Sequence, residues 1–226
     1  TWLEINLKVI QDNITKLKAI TGTGIMPVIK ANAYGHGDFA TAKAAMNAGV
    51  EWFGLARIEE AIALRKKGIE ANLLVLGYTP PGQIRIAAEE EIRVAIYDFK
   101  IMDQYTDRLR GCDKKLKVHI KLETGMGRLG IPQEFAIRFV KQIQSEPFFE
   151  IEGIFTHLAR ADEPDQPLTT HQIDSFMQIV KVLHNEGIQP KLLHTSNTAG
   201  AIYTKEGRFD LVRPGVGIYG LDPSPD

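Results

Sequence analysis

The sequence predicts an α/β protein folded as a (β/α)8 TIM barrel, with a short N-terminal strand and helix leading into it. Three observations predict it. Eight short apolar runs recur along the 226 residues, and amphipathic stretches separate most of them. Near-continuous apolar runs are what strands covered by helices on both faces require, and eight such units suit a closed barrel. Polar and glycine-rich clusters also follow several of the runs, which is where a barrel carries its chemistry. An open doubly wound sheet fits the same periodicity, so the count of eight and the strand-end clusters carry the preference.

The elements follow in order. Residues 1–7 alternate Trp2, Glu4 and Asn6 with Leu3, Ile5 and Leu7, a strand pattern. Residues 8–20 then place Ile10, Ile14, Leu17 and Ile20 at helical spacing. The eight barrel strands are read at 26–30, 52–56, 73–77, 93–97, 117–122, 151–156, 191–195 and 211–213. Helices are read at 39–48, 58–67, 101–109, 135–144 and 170–185, with a shorter one at 199–203. Gly49, Gly68 and Gly187 close three of these stretches, where a helix end favours a residue tolerant of positive φ.

Composition removes several function classes. With 27 basic and 28 acidic residues the formal net charge is −1, so no nucleic-acid footprint is present. Apolar stretches such as 71–76 are too short to span a bilayer, and no signal-peptide pattern opens the chain. Cytoplasm is the expected compartment. The single Cys112 excludes an internal disulfide and a cysteine-rich zinc site, and the six histidines include no His-x-x-x-His pair, so no metal is expected. Neither a P-loop nor a dinucleotide-binding glycine motif is present. The chain opens on Thr1 and ends in a run with Pro223 and Pro225. It therefore reads as part of a longer protein, with residues 1–221 as the barrel domain and 222–226 as the start of a linker to a second domain.

The strand-end clusters hold the candidate chemistry. The first run leads into Lys30-Ala-Asn-Ala-Tyr-Gly-His-Gly37 and the fifth into Lys121-Leu-Glu-Thr-Gly-Met-Gly-Arg-Leu-Gly130. His157 and Asp162 follow the sixth run; His194, Ser196, Asn197 and Thr198 follow the seventh; Arg213-Pro-Gly-Val-Gly-Ile-Tyr219 follows the eighth. Lys30 closes an uncharged run, Ile25-Met-Pro-Val-Ile29. Partly apolar surroundings there would lower its pKa and favour the neutral nucleophile that imine formation needs. His119 alternates with its strand and belongs in the interior.

Val28-Ile-Lys-Ala-Asn-Ala-Tyr-Gly-His-Gly37 resembles the cofactor-lysine signature of the bacterial alanine racemases, fold-type III enzymes of pyridoxal 5′-phosphate (PLP). Further matches follow in the family's order: Ala56-Arg-Ile-Glu-Glu-Ala61, the segments 121–130 and 194–198, Gly153-Ile-Phe-Thr-His157 with Ala161-Asp162, and 213–221. The resemblance spans essentially the whole chain and corresponds to the family's N-terminal barrel domain. It implies that Lys30 carries PLP as a Schiff base and acts as base on one face of the substrate. It implies that Arg213 faces the pyridine nitrogen, with His157 and His194 orienting it. Tyr34, Thr198 and backbone amides near Gly215 and Val216 would hold the phosphate, with Asn197 and Tyr219 supporting the site. Arg128 would donate to the phenolic oxygen, and Lys121 matches a position that family members carbamylate. Two positions depart from the pattern: Thr198 stands where relatives carry serine, and Glu123 where they carry aspartate.

The implied reaction is the interconversion of L- and D-alanine by two bases on opposite faces. In the family the second base is a tyrosine from a C-terminal β-domain, supplied by the partner subunit of a head-to-tail homodimer. That domain is not in this sequence, so the expectation is cofactor binding with weak racemisation or none. A serine or broad-specificity racemase, attached to a membrane domain, shares the pattern. A non-catalytic PLP-binding homeostasis protein shares the barrel, but its members generally lack Gly-Met-Gly-Arg-Leu-Gly, here 125–130. A barrel decarboxylase usually puts a carboxylate on the ring nitrogen, against Arg213.

Overall fold

A computed structural model of the chain describes residues 2–163 and 167–223. Of the stretch read as a linker, residues 224–226 lie outside it. Residues 2–6 carry no strand pairing, and Trp2 and Leu3 are 85% and 80% exposed. Alternation alone does not make a strand, because each N–H and C=O needs a partner, and no described segment supplies one. Asn6 instead starts α1 (Leu7–Thr21), its side chain accepting from the amides of Lys8 and Val9. The helix buries Ile10, Ile14 and Leu17 along one stripe and ends at the left-handed Gly22.

The barrel strands are β1 (Gly24–Ile25), β2 (Trp52–Leu55), β3 (Asn72–Val75), β4 (Ile92–Ile96) and β5 (Leu116–Glu123). After the short β6 (Ile131–Pro132) come β7 (Phe149–Phe155), β8 (Leu192–His194) and β9 (Leu211–Val212). Parallel pairing runs in the order β2-β3-β4-β5-β7-β8. The ring then closes: Asp210 donates its amide to the Leu193 carbonyl, β9 pairs with β1, and a bridge joins Val28 to Gly54 of β2. Eight strands close the ring, and β6 sits aside on the end of β5. This is the barrel the sequence predicts.

Helices cover the outside. They are the turn α2 (Lys30–Tyr34), α3 (Asp38–Asn47), α4 (Ile58–Lys66), α5 (Ile84–Glu89), α6 (Phe99–Leu109), α7 (Gln133–Ser145), α8 (Pro167–Asn185) and α9 (Thr198–Tyr203). Their apolar stripes pack on outward strand residues: Met102 and Tyr105 of α6, Phe139 of α7 and Phe176 of α8 join Phe53, Val94, Val118 and Ile120 in one buried cluster. The sequence reading lacked α5, β6 and the turn α2. At six residues α5 buries only Ile84, Ala87 and Ala88, too little for a periodicity to register. None of the described helices is long and apolar enough to cross a membrane.

Candidate active site

A cavity of about 480 Å³ opens at the C-terminal ends of the strands. Lys30 and Tyr34 reach it from beyond β1; Lys121 and Arg128 from β5 and its loop; His157 and Asp162 from beyond β7. Asn197 and Thr198 line it from beyond β8, and Arg213, Gly215 and Val216 from beyond β9. Val28, Leu55, Leu76, Gly77, Leu129 and Phe155, which have no role in the sequence reading, also line the wall. Tyr219 is not in the lining. Its ring packs on Tyr34 (5.3 Å between centroids) and stacks on His36 (4.3 Å), behind the wall. Among the described residues no cluster of three His, Cys, Asp or Glu side chains is placed to hold a metal.

Lys30 is held by an unusual backbone. Ala31, Asn32, Ala33 and Tyr34 all have φ between 52° and 55°, a left-handed turn without a glycine. Each such residue costs on the order of 1–2 kcal/mol, so the turn needs outside support. It receives it: Ala33 donates to the Ile29 carbonyl at 2.9 Å, Gly37 to the Asn32 carbonyl at 3.0 Å, and Ala31 to Glu60 Oε1 at 2.6 Å. The Lys30 side chain emerges exposed in the cavity rather than among apolar residues, which corrects the expected surroundings. The reason is that the buried run stops at Ile29 and the chain turns at Lys30 itself.

The cavity is cationic. Lys30, Lys121, Arg128 and Arg213 line it against one described carboxylate, Asp162. Burial, then the charges of Arg128 and Arg213, push the Lys121 ammonium down to about 8. Burial, then Arg213 and the other cations, push His157 down to about 3, so its ring is neutral. Glu123 acts on this charge only from outside the lining and raises Lys121 less than burial and the arginines lower it. Its oxygens are turned to the loop, accepting from the Gly125 (2.6 Å), Gly127 (2.9 Å) and Arg128 (3.3 Å) amides. Burial works to raise the Glu123 carboxyl, but those amides outweigh it and hold it low.

Beneath the cavity, one line of hydrogen bonds runs through the barrel interior. Arg213 Nη1 lies 2.8 Å from His194 Nδ1, and His194 Nε2 lies 2.8 Å from His119 Nδ1. His119 Nε2 lies 3.3 Å from Glu152 Oε2, and Arg93 grips Glu152 with Nε at 2.9 Å and Nη2 at 3.2 Å. Every proton on this line is determined. A guanidinium only donates, so His194 Nδ1 accepts and its Nε2 carries the hydrogen. His119 Nδ1 then accepts, and its Nε2–H points at Glu152. Burial works to raise the Glu152 carboxyl, but His119 and Arg93 outweigh it and hold it at about 2, so the last acceptor is ionised as the line requires. Both imidazoles are fully buried and their pKa values are lowered, first by desolvation. Arg213 Nη2 adds the carbonyls of Thr156 (2.7 Å) and Thr195 (2.9 Å), with His157 Nδ1 at 3.4 Å. Burial pushes Arg213 down to about 9, which leaves it cationic at neutral pH.

The side of the cavity between β8 and β9 is shaped for a small anion. Thr198 Oγ1 accepts from the amides of Gly215 (3.0 Å) and Gly217 (3.3 Å), which leaves its O–H free to donate elsewhere. A Cβ at residue 217 would stand 2.5 Å from Thr198 Cγ2, so glycine there is what admits threonine in place of serine. A Cβ at residue 215 would stand 2.6 Å from Tyr34 Oη, so glycine there lets that hydroxyl approach the backbone. Asn197 is committed to the frame: its Oδ1 caps α9 at Gly200 and its Nδ2 donates to the Leu158 carbonyl. Buried Tyr219 Oη has no hydrogen-bond partner among the described residues.

Known proteins resemble this chain in sequence and fold. The family model described as "Alanine racemase, N-terminal domain" matches residues 5–223. The alanine racemase of Symbiobacterium thermophilum is 39% identical over all of this chain and 60% of its own length. Alanine racemase 1 of Bacillus subtilis is 38% identical, again over all of this chain and 58% of its own. The crystal structure of the Bacillus anthracis alanine racemase with bound L-Ala-P superposes with a TM-score of 0.94 at 36% identity, covering 100% of this chain and 59% of that one. That from Streptomyces lavendulae gives 0.93 at 34%, covering 98% of this chain and 59% of that one. The chain thus spans about three fifths of the length of these relatives. On this evidence the chain belongs to the alanine racemase family and corresponds to its N-terminal domain.

Proposed function

We propose that this chain is the PLP-binding barrel of an amino-acid racemase acting on alanine. The observation that carries the reading is the cavity itself: four cations and two hydroxyls converge on it against a single described carboxylate. Such a site suits a ligand with several negative charges, as a pyridoxal phosphate paired with an amino-acid carboxylate has.

The donors fit that group in kind. Tyr34 Oη, the Thr198 hydroxyl and the Val216 amide would hold the phosphate, with the Gly215 amide, which donates to Thr198 Oγ1, steadying that hydroxyl. Arg213 would meet the ring nitrogen, Arg128 the phenolic oxygen, and Lys30 the aldehyde carbon. When bound, the cofactor withdraws electrons from the substrate's Cα and makes its hydrogen acidic. Lys30 Nζ then takes or returns that proton on one face. Arg213, pinned by His194 and two carbonyls, gives up no proton and keeps the ring nitrogen unprotonated. A weaker electron sink favours return of the proton to Cα over other fates, which suits racemisation. A carbamylated Lys121 would turn one of the cations into an anion able to hold Arg128. The opposite-face base and the dimer belong to the part of the longer protein that the family pattern implies.

Two measurements test this. Added PLP should give this chain the visible absorption band of a lysine-bound cofactor. The longer protein should interconvert L- and D-alanine faster than L- and D-serine. A chain that binds no PLP, or a longer protein that prefers serine, would overturn the corresponding half.

A further inference from the structure

We propose that Glu60 is a positioning residue for Lys30, locking the backbone on the far side of the lysine to the end of β2. This rests on the reading of Lys30 as the cofactor-bearing residue. The Ala-Arg-Ile-Glu-Glu-Ala segment that contains Glu60 supplies only Ala56 to the cavity wall, so the chemistry leaves Glu60 without a role.

The carboxylate divides its two oxygens. Oε2 accepts from the amides of Ala56 at 2.9 Å and Arg57 at 3.1 Å. The bond to Arg57 is what a glutamate at the third position of α4 makes when it closes a capping box. Helix capping does not explain Oε1, which accepts from Ala31 at 2.6 Å, 29 residues away in sequence. The Ala31 amide shares a rigid peptide plane with the Lys30 carbonyl. The plane before Lys30 is held as well, because the Ile29 carbonyl accepts from Ala33 at 2.9 Å. With both flanking planes fixed, the direction of the lysine's Cα–Cβ bond is fixed. A left-handed turn of four non-glycine residues gives the chain a standing reason to relax away from that direction. Glu60 opposes it from outside the turn, alongside Asn32 Oδ1, which accepts from the Asp38 amide at 2.9 Å, and His36 Nδ1, 3.1 Å from the Ala33 carbonyl.

Glutamine at this position has one acceptor oxygen, and its amide group would face an N–H on the other side. Glu60→Gln should therefore release the Ala31 end while the anion-binding groups on other strands stay in place and Tyr34, at the far end of the same turn, stays held by its packing on Tyr219. The assay compares two ligands. Pyridoxine 5′-phosphate lacks the aldehyde and reports on anion and ring binding alone. PLP condenses with Lys30 Nζ, the amine displacing the aldehyde oxygen as one water to form a C=N bond. We expect Glu60→Gln to keep the pyridoxine phosphate affinity within about twofold and to slow imine formation at least about tenfold, the scale of a misplaced reacting group. Asp98→Ala, which strips the N-cap of α6 and lies outside the cavity lining, controls for loss of a helix cap and should change neither. Imine formation at the wild-type rate, or a parallel loss of both ligands, would overturn the proposal. If Glu60→Gln does not fold, hydrogen exchange in the wild-type protein decides: a protected Ala31 amide supports the clamp and a freely exchanging one refutes it. A wild-type protein that forms no imine on Lys30 would instead overturn the functional reading, and the proposal with it.

Discussion

Substituting Glu152 by glutamine should reach the cavity from the opposite end of the barrel's internal hydrogen-bond line. Glu152 and Arg93 are 10% and 8% exposed at their side chains, so removing the charge leaves a nearly buried guanidinium without its counter-ion. Breaking such a pair costs about 3–5 kcal/mol, of which one retained hydrogen bond recovers about 1. The carboxyl gives the same scale: it is drawn from 4.5 to about 2, and at about 1.4 kcal/mol per unit this is about 3 kcal/mol. A loss near 3 kcal/mol is therefore expected in urea unfolding at neutral pH, with an unchanged denaturant slope. The second consequence is specific to the line. The glutamine amide would meet Arg93 Nη2 donor to donor in one orientation, and both Arg93 Nε and the His119 Nε2–H in the other. If His119 switches tautomer to escape, His194 must switch too, and its new Nδ1–H then opposes Arg213. Nitrogen-15 shifts of the two imidazoles should report Nε2–H for both in the wild type and a mixed or reversed state in Glu152→Gln, with weaker PLP binding. Stability within about 0.5 kcal/mol of wild type, with both tautomers unchanged, would refute the argument.

Gly215→Ala places a Cβ 2.6 Å from Tyr34 Oη and 3.3 Å from its Cζ. It should push the hydroxyl away and weaken PLP binding about 10- to 100-fold, the worth of one hydrogen bond to a charged group, with an unchanged affinity in a PLP titration counting against it. Acid should destabilise the fold earlier than surface titration would. His157 is held at about 3 against an ordinary 6.5, so below 6.5 the unfolded chain binds a proton that the folded chain refuses. Stability is then full above that value and falls as the pH drops toward 3. At about pH 5 this group alone costs about 2 kcal/mol. His119 and His194 act in the same direction, and Glu152 adds to the loss between 4.5 and about 2. Urea midpoints measured between neutral pH and about pH 5 should fall steadily, and a flat profile would contradict the buried neutral histidines.

Much of the barrel was legible because its strands are apolar on both faces. The runs at 52–56, 73–77 and 93–97 became Trp52–Leu55, Asn72–Val75 and Ile92–Ile96, displaced by a residue or two at the ends. Strand-end polar clusters located the cavity for the same reason: a charged side chain directly after a buried strand has only the open end of the barrel to enter. His119 was placed inside by alternation, and it is fully buried. What joins it to Glu152 and His194 was not legible. The partners lie 33 and 75 residues away, and their meeting depends on strand register, which one sequence does not display. The left-handed turn at Ala31–Tyr34 had no local signal either, since no glycine stands within it and part of its support comes from Glu60, 29 residues away. Alternation over residues 1–7 suggested a strand, yet pairing partners decide whether a strand forms.

Borohydride reduction of the PLP-loaded protein, followed by peptide mass spectrometry, tests the central claim most directly. Reduction fixes the cofactor to the lysine that holds it. The label is expected on Lys30, and should be lost in Lys30→Ala while the cationic cavity still binds the phosphate weakly. A label on Lys121, or covalent attachment that survives Lys30→Ala, would contradict that claim.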